Sequence, residues 1–213
     1  MHKTVSNLNT IEDILKTKVD KLPNIIAVSK TFPINDILPL INYGHMHFGE
    51  NKVQEAADKW TNIKTNKNIK LHLIGKLQTN KVKVAVNIFD YIHSLDSEKL
   101  ANKIADEQIK QNKNIKIFIQ VNIGNEDQKS GIKKEDTYDF YRYCKNINLD
   151  IIGVMCIPPK NENSLIYYSE MNRINKELNL FDLSMGMSED YLEASQNNAT
   201  FLRIGSKIFG QRD

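Results

Sequence analysis

The segment YIHSLDSEKLANKIADEQIKQNKNIKIFIQVNI, residues 91–123, decides the fold. It opens on a short apolar run, Tyr91–Ser94, crosses an amphipathic stretch, Ser97–Asn112, and closes on a second apolar run, Ile115–Ile123. In the middle stretch Leu100, Ala101, Ile104, Ala105 and Ile109 recur at helical spacing, which predicts a helix with one buried face. The flanking runs are continuously apolar rather than strictly alternating, as in strands covered by helices. Strand, helix and strand in that order predict two parallel strands joined by a helical crossover.

Working outward, the same unit recurs along the chain. Apolar runs fall at Ile25–Lys30, Met46–Gly49, Lys70–Ile74, Tyr91–Ser94, Ile115–Ile123, Asp150–Ile157, Phe181–Met185 and Phe201–Ile204. Helical patterns separate them at Asp36–Tyr43, Lys52–Trp60, Thr79–Phe89, Ser97–Asn112, Lys133–Ile147, Ser164–Leu178 and Glu189–Asn197, and any helix after Phe209 must be very short. A further helix is expected over residues 9–21, with Leu8, Ile11, Leu15, Val19 and Leu22 on one face and a Thr10/Asp13 capping box. The eight units average about 22 residues, compact but feasible with short connections. Eight parallel strands can close into a barrel or lie open as a doubly wound sheet, and counting favours closure. The expected fold is α/β: a single (β/α)8 TIM-type barrel with an extra N-terminal helix, one domain over residues 1–213.

Composition narrows the function classes. With 213 residues, 40% of them hydrophobic, the chain can bury a core without disulfides or metals. Its two cysteines form no C-x-x-C pair; Cys144 and Cys156 read as core residues in a reduced, cytoplasmic setting. The opening MHKTVSNLNT has no signal-peptide run, and no apolar stretch is long enough to span a bilayer, so a soluble protein is expected. Net charge is only +3; the basic stretches Lys59–Lys70 and Lys76–Lys83 read as solvated helix faces without nucleic-acid reading residues. His45 and His47 share a strand face but lack a third convergent ligand, so no metal is expected, and His2 and His93 carry no signal.

Active sites of parallel α/β folds lie beyond the carboxyl ends of the strands. The first run ends in Val28-Ser29-Lys30, where alternation turns Ile26, Val28 and Lys30 inward. A partly desolvated lysine amine has a lowered pKa and can form a Schiff base with an aldehyde. From position alone, a lysine snorkelling to solvent is the heavier reading, and other features must shift that balance. Ser184-Met185-Gly186-Met187-Ser188 and Gly205-Ser206 end the seventh and eighth runs, the usual phosphate location in such barrels, although each alone also fits a plain turn. Arg203 shares the inward face with Phe201 and Gly205; it suits either a structural ion pair or a donor facing a pyridine nitrogen, which would stay unprotonated.

Several motifs together carry a resemblance. They are Ala27-Val28-Ser29-Lys30-Thr31, Phe48-Gly49-Glu50-Asn51 with Val53-Gln54-Glu55, and His72-Leu73-Ile74-Gly75 with Leu77-Gln78 and Asn80-Lys81. Gln120-Val121-Asn122-Ile123 with Lys129-Ser130-Gly131, Leu183 to Ser188, and Arg203-Ile204-Gly205 with Ile208-Phe209-Gly210 complete the set. From Ile25 to Asp213 the chain resembles the pyridoxal phosphate homeostasis family of the YggS (PROSC) type. The resemblance implies an alanine racemase N-terminal-type barrel and pyridoxal 5′-phosphate held as an internal aldimine on Lys30. It implies that Ser184, Met185, Gly205 and Ser206 surround the phosphate, that Arg203 sits near the ring nitrogen, and that Asn51 and His72 lie beside the ring. Lys52 and Cys156 depart from the family pattern.

The implied role is vitamin B6 homeostasis without substantial turnover. Pyridoxal phosphate, and the apoenzymes that depend on it, are the expected partners; nucleic acid and membrane are not, and a monomer is expected. A racemase of this barrel type carries a second domain with a tyrosine base, which is expected to be missing here. The alternatives are a pyridoxal-phosphate-dependent racemase or related enzyme, and a cofactor-free Schiff-base lyase.

Overall fold

A computed structural model describes residues 1–64 and 68–211. Part of the Lys59–Lys70 basic stretch, and the last two residues of the expected domain, lie outside the described residues. The strands are β1 (Asn24–Val28), β2 (His47–Glu50), β3 (Lys70–Leu73), β4 (Tyr91–Leu95), β5 (Lys116–Asn122), β6 (Ile132–Lys133), β7 (Ile151–Met155), β8 (Asp182–Ser184) and β9 (Phe201–Ile204). The helices are α1 (Lys3–Lys16), α2 (Ile34–Tyr43), α3 (Val53–Lys64), α4 (Val82–Ile88), α5 (Glu98–Gln111), α6 (Thr137–Asn146), α7 (Ser164–Glu177), α8 (Tyr191–Gln196) and α9 (Ser206–Phe209). All pairings are parallel, in the order β4-β3-β2-β1-β9-β8-β7-β5, and β4 also pairs with β5. That last pairing closes an eight-stranded barrel, as the sequence pattern predicts.

Three details differ from expectation. α1 starts at Lys3, not residue 9, because its buried stripe is Val5, Leu8, Ile11 and Leu15, and the His2 ring accepts from the Thr4 N–H. Thr10 does not cap: its hydroxyl donates back to the Ser6 carbonyl, while Leu22, beyond the helix end, is exposed. In α5, Ile109 points to solvent and Gln108 turns inward, because its Oε1 accepts the Ile115 N–H at 2.6 Å where the chain approaches β5. The short β6 adds to β5 after Gly131, whose φ of +132° lets it pass the Asn122 backbone.

The core has two parts. The larger fills the space between strands and helices and includes both cysteines, whose thiols burial pushes up to about 12. The smaller, Ile26, Tyr91, Phe118, Met155 and Phe201, fills the barrel interior. α1 lies outside the strand–helix repeat but packs into the larger core, and Asn7 donates to the Ile208 carbonyl of α9 at 2.9 Å. Leu8 is fully buried there. Leu8→Ala should cost about 2–5 kcal/mol, as core truncations to Ala do, read as a lower urea midpoint with unchanged slope.

Candidate functional site

Lys30 follows β1, half-buried, and the turn that presents it is held from below. Thr31 has φ +69°, a left-handed conformation that is a genuine outlier for a β-branched residue. Its N–H donates to Glu55 Oε1 at 2.6 Å, and the Phe32 N–H donates to the Ser29 carbonyl. Lys59, from α3, donates to Glu55 Oε1, to the Ser29 carbonyl and to Glu50 Oε1. Glu50 is fully buried; the same oxygen also accepts from Ser29 Oγ and Trp60 Nε1. Burial alone would raise the Glu55 pKa, but the Thr31 N–H and Lys59 outweigh it and hold the carboxyl below its usual range. The strained turn beside Lys30 thus rests on a lysine clamped between two carboxylates. Glu50 and Glu55 stand out in the sequence only as motif residues, and Lys59, expected on a solvated basic face, is instead turned inward onto both carboxylates; the i, i+4 spacing of Glu55 and Lys59 on one helix is the available signal.

On the neighbouring strand, Arg203 is buried, and burial pulls its pKa down. Its Nη1 donates to Ser184 Oγ at 2.7 Å and its Nη2 to the Cys156 carbonyl at 2.8 Å. Among the described residues no carboxylate pairs with it, so the structural ion pair considered from the sequence is not formed. A buried cation held only by neutral oxygens retains much of its desolvation cost. Such a group suits an acceptor supplied from outside.

The remaining predicted site residues are distributed unevenly. Gly205 precedes α9 and rests on Val28 of β1, where a Cβ would lie 3.4 Å from the Val28 carbonyl. Ser206 opens α9, and the Lys207 N–H reaches Ser188 Oγ, which brings the two glycine-serine turns together. The Ser184 hydroxyl is engaged by Arg203 and His93 inside the barrel. Met185 packs in the outer core, and its N–H donates to the Phe201 carbonyl, so its direction is away from the mouth. Asn51 follows β2, and its backbone is so close to Gly75 that a Cβ there would stand 2.4 Å from the Asn51 carbonyl oxygen. His72 is fully buried and stacked on Tyr91 at 4.2 Å, with both ring nitrogens engaged by His47 and His93. His93, which drew no attention in the sequence, is fully buried and stacked on Phe118. Only three-dimensional register reveals that strand positions 47, 72 and 93 face one another.

Among the described residues no group of three or more His, Cys, Asp or Glu side chains is arranged to hold a metal. No helix among them is long and apolar enough to cross a membrane. The donor set at the mouth is an amine, a guanidinium without a carboxylate, and a serine-lined turn opening a helix. That set fits the aldehyde, ring nitrogen and phosphate of one pyridoxal phosphate molecule.

Two outcomes follow from the charges. Lys59→Met leaves Glu50 buried without its counter-charge, and should cost about 3–5 kcal/mol by chemical denaturation at neutral pH. Burial lowers the pKa of His45 to about 4 and holds His72 and His93 well below 6.5. Between pH 6.5 and 4 the unfolded chain therefore binds more protons than the folded one, so stability falls as pH drops through that window. Denaturation midpoints at pH 7.5 and 5 should differ in that sense and recover on neutralisation.

The model for the alanine racemase N-terminal domain matches residues 5–213. A pyridoxal phosphate homeostasis protein of Pasteurella multocida is 36% identical over 202 residues, covering 89% of this chain and 86% of its relative. One from Aquifex aeolicus is 36% identical over 198 residues, covering 88% and 86% respectively. The structure of PipY from Synechococcus elongatus, with pyridoxal phosphate bound, superposes with TM-score 0.87 at 29% identity, covering 97% of this chain and all of PipY. An alanine racemase of Clostridium difficile shares the fold, at TM-score 0.75 and 13% identity, over 57% of its own chain.

Proposed function

From a chain that belongs to the pyridoxal phosphate homeostasis family, built on the alanine racemase N-terminal barrel, we propose a protein that binds pyridoxal 5′-phosphate and serves intracellular vitamin B6 homeostasis. The observation that carries this reading is the buried Arg203, held by Ser184 and Cys156 without a carboxylate, on the strand paired with the one that leads to Lys30. Lys30 Nζ would hold the cofactor through its aldehyde carbon, with loss of water. The α9 entrance, with Gly205 and Ser206, receives the phosphate, joined by Ser188 from the neighbouring turn. Asn51 flanks the ring at the rim. Ser184 and His72 act from beneath through Arg203, and Met185 supports the turn from the core side. When bound, the cofactor supplies an electron sink.

Arg203 donates and cannot give up its proton to a ring nitrogen, so it leaves that sink weak. Holding the cofactor and releasing it to dependent apoenzymes, as a monomer in the reducing cytoplasm, fits such a site better than turnover. Purified protein given the cofactor should show a visible absorbance band that Lys30→Ala abolishes. Borohydride reduction should leave a pyridoxyl group on residue 30, found by mass spectrometry. An unchanged band in the variant would move the attachment elsewhere. Racemisation or transamination of amino acids well above that of free cofactor would overturn the carrier reading.

A further inference from the structure

A continuous hydrogen-bonded file crosses the barrel interior from floor to mouth. His47 Nδ1 lies 2.9 Å from His72 Nε2, and His72 Nδ1 lies 2.9 Å from His93 Nε2. His93 Nδ1 then lies 2.8 Å from Ser184 Oγ, which Arg203 Nη1 meets at 2.7 Å. His72, His93 and Ser184 are fully buried; His47, at the start of β2, is only partly so.

The donors in this file can be assigned from one end. A guanidinium only donates, so Ser184 Oγ accepts from Arg203. The single Ser184 proton then goes to His93 Nδ1, the other partner of that oxygen; a reversed arrangement would bury a hydroxyl proton without an acceptor. His93 must therefore carry its proton on Nε2 and give it to His72 Nδ1. His72 likewise carries its proton on Nε2 and gives it to His47 Nδ1. Three neutral imidazoles thus point their donors the same way, from mouth to floor. An imidazolium donates from both nitrogens. A proton added to His47 Nδ1 would face the His72 N–H, and that contact must break or every imidazole up to Ser184 must change tautomer.

We propose that His93, His72 and His47 are positioning residues for Arg203: their one-way chain fixes the Ser184 hydroxyl that holds the guanidinium, and proton uptake at the barrel floor releases it. The inference rests on the reading that Arg203 faces the bound cofactor. The charges around the floor are mixed. Burial lowers the His47 pKa, Lys70 on β3 lowers it further, and Asp90 before β4 raises it. His45 lies in the loop just before β2, and its ring meets the His47 carbonyl. Tyr91 lies beside His47, with Lys116 of β5 over its ring and Asp182 of β8 acting on its hydroxyl. His72 feels Lys64 and His45 besides its two imidazole neighbours, and His93 feels Arg203.

The test uses His47→Asn, whose Oδ1 can accept from His72 in place of Nδ1 but cannot protonate, alongside His93→Phe. In the full chain without added cofactor, nitrogen-15 NMR at pH 7.5 should find the proton of all three histidines on Nε2. The Arg203 guanidinium signals should be resolved at pH 7.5 and averaged at pH 5 in wild type. They should stay resolved at both pH values in His47→Asn, and be averaged at both in His93→Phe. With pyridoxal phosphate added, wild type and His47→Asn should bind equally at pH 7.5, and wild type should bind at least threefold more weakly than His47→Asn at pH 5.5. A proton on Nδ1 of His72 or His93, or a His47→Asn protein that follows wild type at every pH, would overturn the proposal. Failure of wild type to bind the cofactor at any pH would defeat the functional reading instead, and the guanidinium signals would still decide the relay. If His93→Phe does not fold, His47→Asn carries the test alone.

Discussion

The mouth of this barrel depends on one seam, the parallel pairing of the first strand with the last. Asn24 to Ala27 run beside Phe201 to Ile204 without a register shift, and Gly205 then rests on Val28. That register fixes how far Lys30 and the opening turn of α9 project beyond the sheet. It also brings together groups that are about 175 residues apart in sequence, which local interactions could not do. Closing the barrel carries the entropy of a loop nearly as long as the chain, and the continuous apolar core inside and outside the strands offsets it.

Two buried cations sit near this seam, and they are treated differently. Lys59 is neutralised twice over, by Glu50 and Glu55, and its role is to brace the backbone that carries Lys30. Arg203 has no carboxylate among the described residues and leans on a hydroxyl and a carbonyl. A fully paired cation is a fixture. One that is hydrogen-bonded but not neutralised still gains from an acceptor arriving at the mouth. The same interior therefore combines a rigid support with an incomplete electrostatic site.

Much of this was legible in the sequence because it follows from period and position. The strand runs, the crossover helices, the inward face of Ile26 and Arg203, and the burial of both cysteines all follow from side-chain alternation and helical spacing. The start of α1 was harder to read, because His2 is an unusual cap and Thr10 imitates a common one. Ile109 misled for a related reason: helical spacing cannot tell which side wins when Gln108 is needed inward to satisfy the Ile115 N–H. The histidine file was illegible altogether. Each member sits on a different strand, and barrel shear, not sequence spacing, sets their ring nitrogens 2.9 Å apart. Lys59 was hidden by its ordinary appearance, since a lysine on an amphipathic helix usually points to water.

The stack of Phe32 on Phe209, with ring centroids 4.8 Å apart, joins the segment after Lys30 to α9. α9 is in turn tied to α1 through Asn7. The three elements form a short mechanical linkage: a helix outside the repeating pattern anchors the final helix, and that helix shares an aromatic hinge with the lysine loop. Whatever fills the mouth and draws the two loops together must strain or relax that hinge. Occupancy should then be transmitted to the outer wall at α1.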